Sequence, residues 1–258
     1  QIKVSDFSQT ESSLAGAEAQ YIQAQNEVVS SRLNYENVIG TLINENSLQK
    51  SIKSFVKIPI SLENAIELSK QNNHDVKIAQ LELEQAKKDI IIAKSDFAPS
   101  ASLSLERSYS EDLSSTYDER EKDILKATVS WPFFSSGKKL ATIDKNQSIK
   151  IRQRFLLDSA VKNNLTMVTS AWANLQSSES FLNSVKAQVK AAEIANEGIT
   201  AEYQSGASSR STLDVIQSNA LLLNAQISLA NSERNYLLAQ YNLLKSVGLL
   251  TSSYLNLK

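Results

Sequence analysis

The sequence predicts a mainly α protein with one β-hairpin, built from long helical hairpins and containing two internal structural repeats. Three observations predict this class. The end of the chain matches its beginning without gaps at an offset of 208 positions: Asp214 falls on Asp6, Gln217 on Gln9, Leu222 on Leu14, Ala225 on Ala17, Asn242 on Asn34 and Gly248 on Gly40. The apolar period changes from helical to two after Pro99 and becomes helical again after Gly137. Glycine (6) and proline (3) are scarce in 258 residues, which favours long uninterrupted helices.

Residues 5–39 read as one long helix interrupted only by Gly16, and residues 41–60 as a connector ending near Pro59. Ser61 is placed to cap a short helix, SLENAIELSKQ, that stops at Asn72 and Asn73. A second helix runs from Asp75 to about Asp96 with Val76, Ala79, Leu83, Ala86 and Ile90 on one face. The repeat partner of residues 61–205 would fall before residue 1, so the chain is expected to be the C-terminal part of a longer protein.

After Pro99 the apolar residues Ala101, Leu103, Leu105 and Tyr109 alternate with Ser100, Ser102, Ser104 and Glu106. A polar stretch, SEDLSSTYDEREKD, reads as a loop, and the alternation resumes at Leu125, Ala127, Val129, Trp131 and Phe133. Two such strands of about ten residues fit a membrane β-hairpin. Alternation alone, a weak signal, fits a soluble hairpin with one buried face slightly better. Phe97, Trp131, Phe133 and Phe134 gather at the hairpin base, where an interfacial girdle would sit.

Lys138 to Glu197 contains neither glycine nor proline, a helix of about 90 Å at 1.5 Å per residue. QSGASSRST forms a turn, and a last helix runs from about Leu213 to Val247. That helix carries two apolar seams. Leu213, Ile216, Ala220, Leu223, Ile227, Ala230, Leu237, Tyr241 and Leu244 form one, and Val215, Leu222, Ala225, Leu229, Tyr236, Ala239 and Leu243 the other. One seam makes a two-stranded coiled coil, whereas two mean a neighbour on each side, as in a tube or inside a bundle.

A net charge of −1 gives no electrostatic case for nucleic acid. The absence of cysteine excludes disulfides and thiolate metal sites. No apolar run approaches the roughly 18 residues of a spanning helix, so membrane crossing would require a closed β-barrel. No catalytic constellation, cofactor motif or metal-ligand set is present, and His74, the single histidine, reads as a surface residue in a helix-connecting turn. No enzyme activity, cofactor or metal is expected.

The segment SLENAIELSKQNNHDVKIAQLELEQAKKDIIIAKSDFAPSASLSL resembles the opening of a repeat in the TolC-like outer membrane efflux proteins. WPFFSSGKK resembles their strand-to-helix return. AEYQSGASSRSTLDVIQSNALLLNAQISLANSERNYLLAQYNLLKSVGLLT resembles their final turn and helix, and DFSQTESSLAGAEAQYIQAQNEVVSSRLNYENVIGT the same helix of the first half. The resemblance implies a homotrimer in the outer membrane of a Gram-negative bacterium. Each complete protomer would add four strands to a twelve-stranded β-barrel, and its helices would join a trimeric α-barrel extending into the periplasm. It implies the outer membrane channel of a tripartite efflux pump or a type I secretion system, a passive duct with a periplasmic adaptor and an inner-membrane pump as partners. A piece with unpaired strand edges is not expected to assemble alone in lipid.

The implied organisation is the end of a first repeat at 1–60 and a second repeat at 61–258. The second repeat divides into helices (61–97), a transmembrane hairpin (98–134), a long helix (135–205), a periplasmic turn (206–212) and a long helix (213–248). The family's pore constriction maps onto Asp214 and Gln217, with Asp6 and Gln9 as first-repeat counterparts and Tyr203 and Arg210 flanking the turn. Three copies of Asp214 would form a carboxylate ring favouring cations, and Gln217 leaves a second acidic ring in doubt. Without a pore, Asp214 is a helix N-terminal residue stabilised by the helix dipole and Arg210 an exposed loop charge. Gly206, Ala207 and Ser208 form the turn that would meet the adaptor. The rival reading from another class is a coiled-coil scaffold that forms no channel.

Overall fold

The computed structural model of the protein describes residues 4–42, 57–114, 117–132, 134, 136–206 and 210–255. The elements in chain order are α1 (Val4–Ile39), α2 (Leu62–Asn72), α3 (His74–Ser95), β1 (Ser100–Ser114), β2 (Tyr117–Ser130), α4 (Lys138–Gln204) and α5 (Thr212–Val247). Most of the connector expected at 41–60 lies outside the described residues. Among the described residues no helix is long and apolar enough to cross a membrane.

The chain forms two compact units. One comprises Gln1–Leu62, Thr169–Lys245 and Leu250–Lys258. Its core is a seam between α4 and α5 in which Val185, Val189, Ala192 and Ala225 are buried and Leu222 and Leu229 pack against them. Both helices bury positions at alternating three- and four-residue steps, the spacing that keeps one stripe facing a partner helix. On α5 this stripe includes Ser218 and Ser232, both buried. Their hydroxyls donate back to the carbonyls of Val215 (3.0 Å) and Leu229 (2.9 Å), so neither is left unsatisfied. The other seam of α5 contributes Ile216, Ala220 and Leu223 to an open groove of about 440 Å³ whose opposite wall is Ser13, Gly16, Ala17 and Gln20 of α1. The two seams thus face two different helices.

The other unit comprises Glu63–Val168 and Ser246–Leu249. Asn73 alone separates α2 from α3. Its side-chain oxygen accepts from the backbone N–H groups of Asp75 (3.0 Å) and Val76 (3.1 Å), an N-cap that starts the helix at His74 rather than at Asp75. His74 therefore belongs to the helix and not to a turn. The same side chain donates through Nδ2 to the Ser246 carbonyl at 2.9 Å, and Asn164 Nδ2 donates to that carbonyl at 3.0 Å. One carbonyl near the end of α5 therefore ties the α2–α3 turn to α4. The backbone of Gly248 lies against this turn (φ +84°), so close that a Cβ there would meet the Asn72 carbonyl oxygen at 2.5 Å. Replacing Asn73 by Ala should cost about 2 kcal/mol in thermal or denaturant unfolding, roughly one for the cap and one for the bond to Ser246. Asn73→Asp keeps the cap acceptor but turns a carboxylate oxygen towards the Ser246 carbonyl, and should cost at least as much.

The strands pair antiparallel in one continuous register from Ser100↔Ser130 to Glu111↔Glu119, with an irregularity between Glu111 and Ser114. The polar stretch expected to be a loop is therefore mostly strand. Alternation disappears there because polar residues occupy both odd and even positions, while cross-strand pairing persists. Arg107 is ion-paired with Glu121 and lies 3.6 Å from Asp123. Near the base, Ala101, Leu103 and Leu105 stand opposite Val129, Ala127 and Leu125, an apolar stripe on one face of the ribbon. Its large side chains are uncovered, Leu105 at 77% and Val129 at 74% exposure.

Candidate functional site

The turn between α4 and α5 collects Tyr203, Arg210 and Asp214. The last helical turn of α4 closes through Ser205 N–H to Ala201 O (3.0 Å) and Gly206 N–H to Tyr203 O (3.1 Å), with Gly206 at φ +76°, where only glycine sits without strain. Ala207 and Ser208 lie outside the described residues. The returning chain reaches Ser211, which caps α5. Asp214 accepts from Ser211 N–H (2.8 Å) and Ser211 Oγ (2.9 Å), while its own N–H donates to Ser211 Oγ at 3.3 Å. This reciprocal pair is a capping box. Its signature, serine followed three residues on by an acid, stands in the sequence as Ser211–Thr212–Leu213–Asp214. Ser211 is the site residue that the sequence reading passed over.

Two further bonds close the turn on itself. Arg210 Nε donates to Glu202 Oε2 at 2.5 Å, and Tyr203 Oη and Thr212 Oγ1 are 3.0 Å apart. Arg210 is therefore held by α4 and is not a free loop charge. The hydrogen bond to Glu202, and then the charge of that carboxylate, raise the guanidinium pKa further. The N–H of Ser211, then its hydroxyl, hold the Asp214 carboxyl below the usual carboxylate range, and the charge of Arg210 acts in the same direction. The carboxylate form makes the cap, so its contribution is present above the unfolded pKa and is lost as pH falls through the lowered folded value. Acidification below about pH 4 should lower the amide protection factors, exchange relative to the intrinsic rate at each pH, in the first turn of α5 and leave those near Ala225 unchanged. Equal protection above and below that pH would show that the cap contributes nothing.

Gln217 is exposed and lines the groove shared with α1. Behind it, Asn196 Nδ2 of α4 donates to Ser218 Oγ (3.1 Å) and Asn219 Oδ1 (2.7 Å). Gln9 is exposed on α1, where its carbonyl accepts from Ser13 Oγ at 2.9 Å. Asp6 lies in the first turns of α1, and its side chain is outside the described residues. Among the described residues no group of three or more His, Asp or Glu is placed to hold a metal.

At the hairpin base, Trp131 Nε1 donates to the Phe97 carbonyl at 3.2 Å. Lys139 Nζ donates to the carbonyls of Asp96 and Pro132 and lies 5.2 Å from the Phe97 ring centre. Phe134 is exposed, and Phe133 lies outside the described residues.

The family model for outer membrane efflux proteins matches residues 65–249. The chain belongs to the outer membrane efflux protein family. Two curated relatives carry matching names. The outer membrane efflux protein BepC of Brucella suis biovar 1 is 27% identical over 130 residues, 50% of this chain and 28% of BepC. The outer membrane protein TolC of Escherichia coli K12 is 29% identical over 121 residues, 47% of this chain and 24% of TolC. The fold is similar to the open-state MtrE outer membrane channel of Neisseria gonorrhoeae, with a TM-score of 0.74 at 20% identity, over 96% of this chain and 57% of MtrE. It is also similar to VceC of Vibrio cholerae, with a TM-score of 0.68 at 18% identity, over 95% of this chain and 58% of VceC. The chain thus spans little more than half the length of these solved relatives. For an efflux-family chain, the α4–α5 turn and the hairpin base are the two places where side-chain chemistry is concentrated.

Proposed function

We infer that the protein is an outer membrane export duct of efflux-pump type. In this reading three copies assemble about a pore, each whole protomer adding four strands to a twelve-stranded β-barrel. The helices form an α-barrel reaching into the periplasm of a Gram-negative cell, and the chain divides at 60/61 into the end of one repeat and a second repeat. The observation that carries this reading is the hairpin, whose apolar stripe is uncovered and ends at the exposed aromatic residues Trp131 and Phe134. The stripe is suited to lipid and the aromatics to the membrane interface. The α1 residues Phe7, Leu14, Tyr21 and Val28 recur every seven positions and are exposed, which supports further helical neighbours.

Substrate moves passively, and an inner-membrane pump supplies the energy. A periplasmic adaptor meets the turn at Gly206, Ala207 and Ser208 and separates the helix ends. Three Asp214 carboxylates form the constriction with Gln217, and Asp6 and Gln9 line the same end. Tyr203 and Arg210 hold the closed state. The family description and the name of BepC favour efflux over type I secretion. The test is single-channel recording of the full-length protein in a planar bilayer, where discrete conductance steps are expected. A folded trimer that conducts no ions, or a protein that leaves the membrane fraction without detergent, would replace the duct with a scaffold.

A further inference from the structure

The base of the hairpin carries a cationic collar that neither the gate nor the adaptor turn uses. Segments 94–98, 130–132 and 136–140 contain three lysines, Lys94, Lys138 and Lys139, against one carboxylate, that of Asp96. The segments are bound to one another by the Lys139 and Trp131 hydrogen bonds to the carbonyls of Asp96, Pro132 and Phe97. Lys139 is half-buried and serves the fold. Lys94 and Lys138, which lie in sequence next to the joined residues Asp96 and Lys139, are exposed. Lys138 stands in the first turn of α4, which holds no acidic residue, and a cation there opposes the helix dipole. Among the described residues no ion pair to Lys138 is seen.

The surroundings indicate what would pair with it. The apolar stripe from Ala101 to Leu105 and Leu125 to Val129 ends at Trp131 and Phe134, which are 65% and 80% exposed. Beyond the aromatics come the lysines. Apolar surface, amphipathic rings and cations follow one another in the order of acyl chains, interface and phosphates in a leaflet. Lysine presents a compact charge suited to phosphate, and its stem packs on aromatic and aliphatic surface.

We propose that Lys94 and Lys138 form a binding site for the headgroup phosphate of an anionic phospholipid in the helix-side leaflet, with Trp131 and Phe134 packing against its glycerol and upper acyl region. The proposal rests on the membrane reading above. The lipid is bound without covalent chemistry, and it fixes the depth at which the hairpin base sits.

The test is native mass spectrometry of the full-length protein released from phosphatidylethanolamine nanodiscs made with and without phosphatidylglycerol. Wild type should retain phosphatidylglycerol in preference to phosphatidylethanolamine. The K94Q/K138Q variant should lose that preference by about an order of magnitude, the scale expected for two lysines at an anionic surface. K94R/K138R should restore it, and an unchanged circular dichroism spectrum shows that the variants are folded. Equal phosphatidylglycerol retention by wild type and K94Q/K138Q overturns the proposal. So does displacement of the lipid by inorganic phosphate where chloride of equal ionic strength displaces none, because the site would then be a general anion site. A protein that enters neither kind of nanodisc overturns the membrane reading itself, and the lipid site with it.

Discussion

Replacing Gly248 by Ala should destabilise the protein by about 3–5 kcal/mol, whereas the same change at Gly40 should cost about 1–2 kcal/mol. The two glycines occupy matching positions of the repeat and have nearly the same backbone, φ +84° and +81°. Both therefore impose a similar strain on an L-residue. They differ in what lies beside them. A Cβ on Gly248 would meet the Asn72 carbonyl oxygen at 2.5 Å, the Asn72 carbonyl carbon at 2.6 Å and the Asn73 Cα at 2.8 Å. All three are backbone atoms of a turn held by the Asn73 cap, so none can swing aside. A Cβ on Gly40 would meet nothing within 4 Å among the described residues outside its own chain neighbours and helix backbone. The difference between the two losses, read from thermal unfolding, measures the packing of the turn against the end of α5 with the conformational term cancelled. Equal losses would mean that the turn yields and that the close approach is soft.

The second large effect is expected at Asp214. In a reconstituted channel, Asp214→Asn should reduce cation selectivity severalfold, towards equal passage of cations and anions, with a stability loss of about 1 kcal/mol at most. Asparagine keeps an oxygen in the place that accepts from Ser211 but not the charge that strengthens the cap, and in the proposed trimer three charges leave the constriction. Ser211→Ala does the reverse, removing the hydroxyl of the capping box and keeping the carboxylate. It should loosen the start of α5 and leave selectivity near that of wild type. The pair separates the two roles of one side chain. If Asp214→Asn changes neither selectivity nor conductance, Asp214 caps a helix and does nothing in the pore.

The helical class was legible because glycine and proline are so few and because α5 writes its contacts as two seams. The seam through Leu222, Ala225 and Leu229 faces α4, and the one through Ile216, Ala220 and Leu223 faces α1. The strands were legible only where one face is apolar. From Ser108 to Lys122 polar residues occupy both odd and even positions, so period two vanishes from the sequence while the register runs on through Ser110↔Arg120. Helix starts were less legible. Asn73 was read as a stop, though its side chain is the start of the next helix. At the candidate gate, Tyr203, Arg210 and Asp214 could be singled out, but not their partners. Glu202 and Thr212 acquire meaning only when the turn folds back and brings residues eight and nine positions apart into contact. The cap serine could have been found from its spacing to Asp214. The Lys139 contacts could not, since they join residues as far apart as 43 positions and terminate on carbonyls, which any sequence possesses.

The carbonyl of Ser246 accepts from partners 173 and 82 positions earlier in the chain. Helical turns form in about a microsecond, but a contact across such separations waits for most of the chain to be made and collapsed. Until then the chain holds local helices that are not yet joined to one another. The knot at Ser246 is drawn late, so resistance to unfolding arises late as well, and variants that weaken the knot should be more readily degraded by proteases.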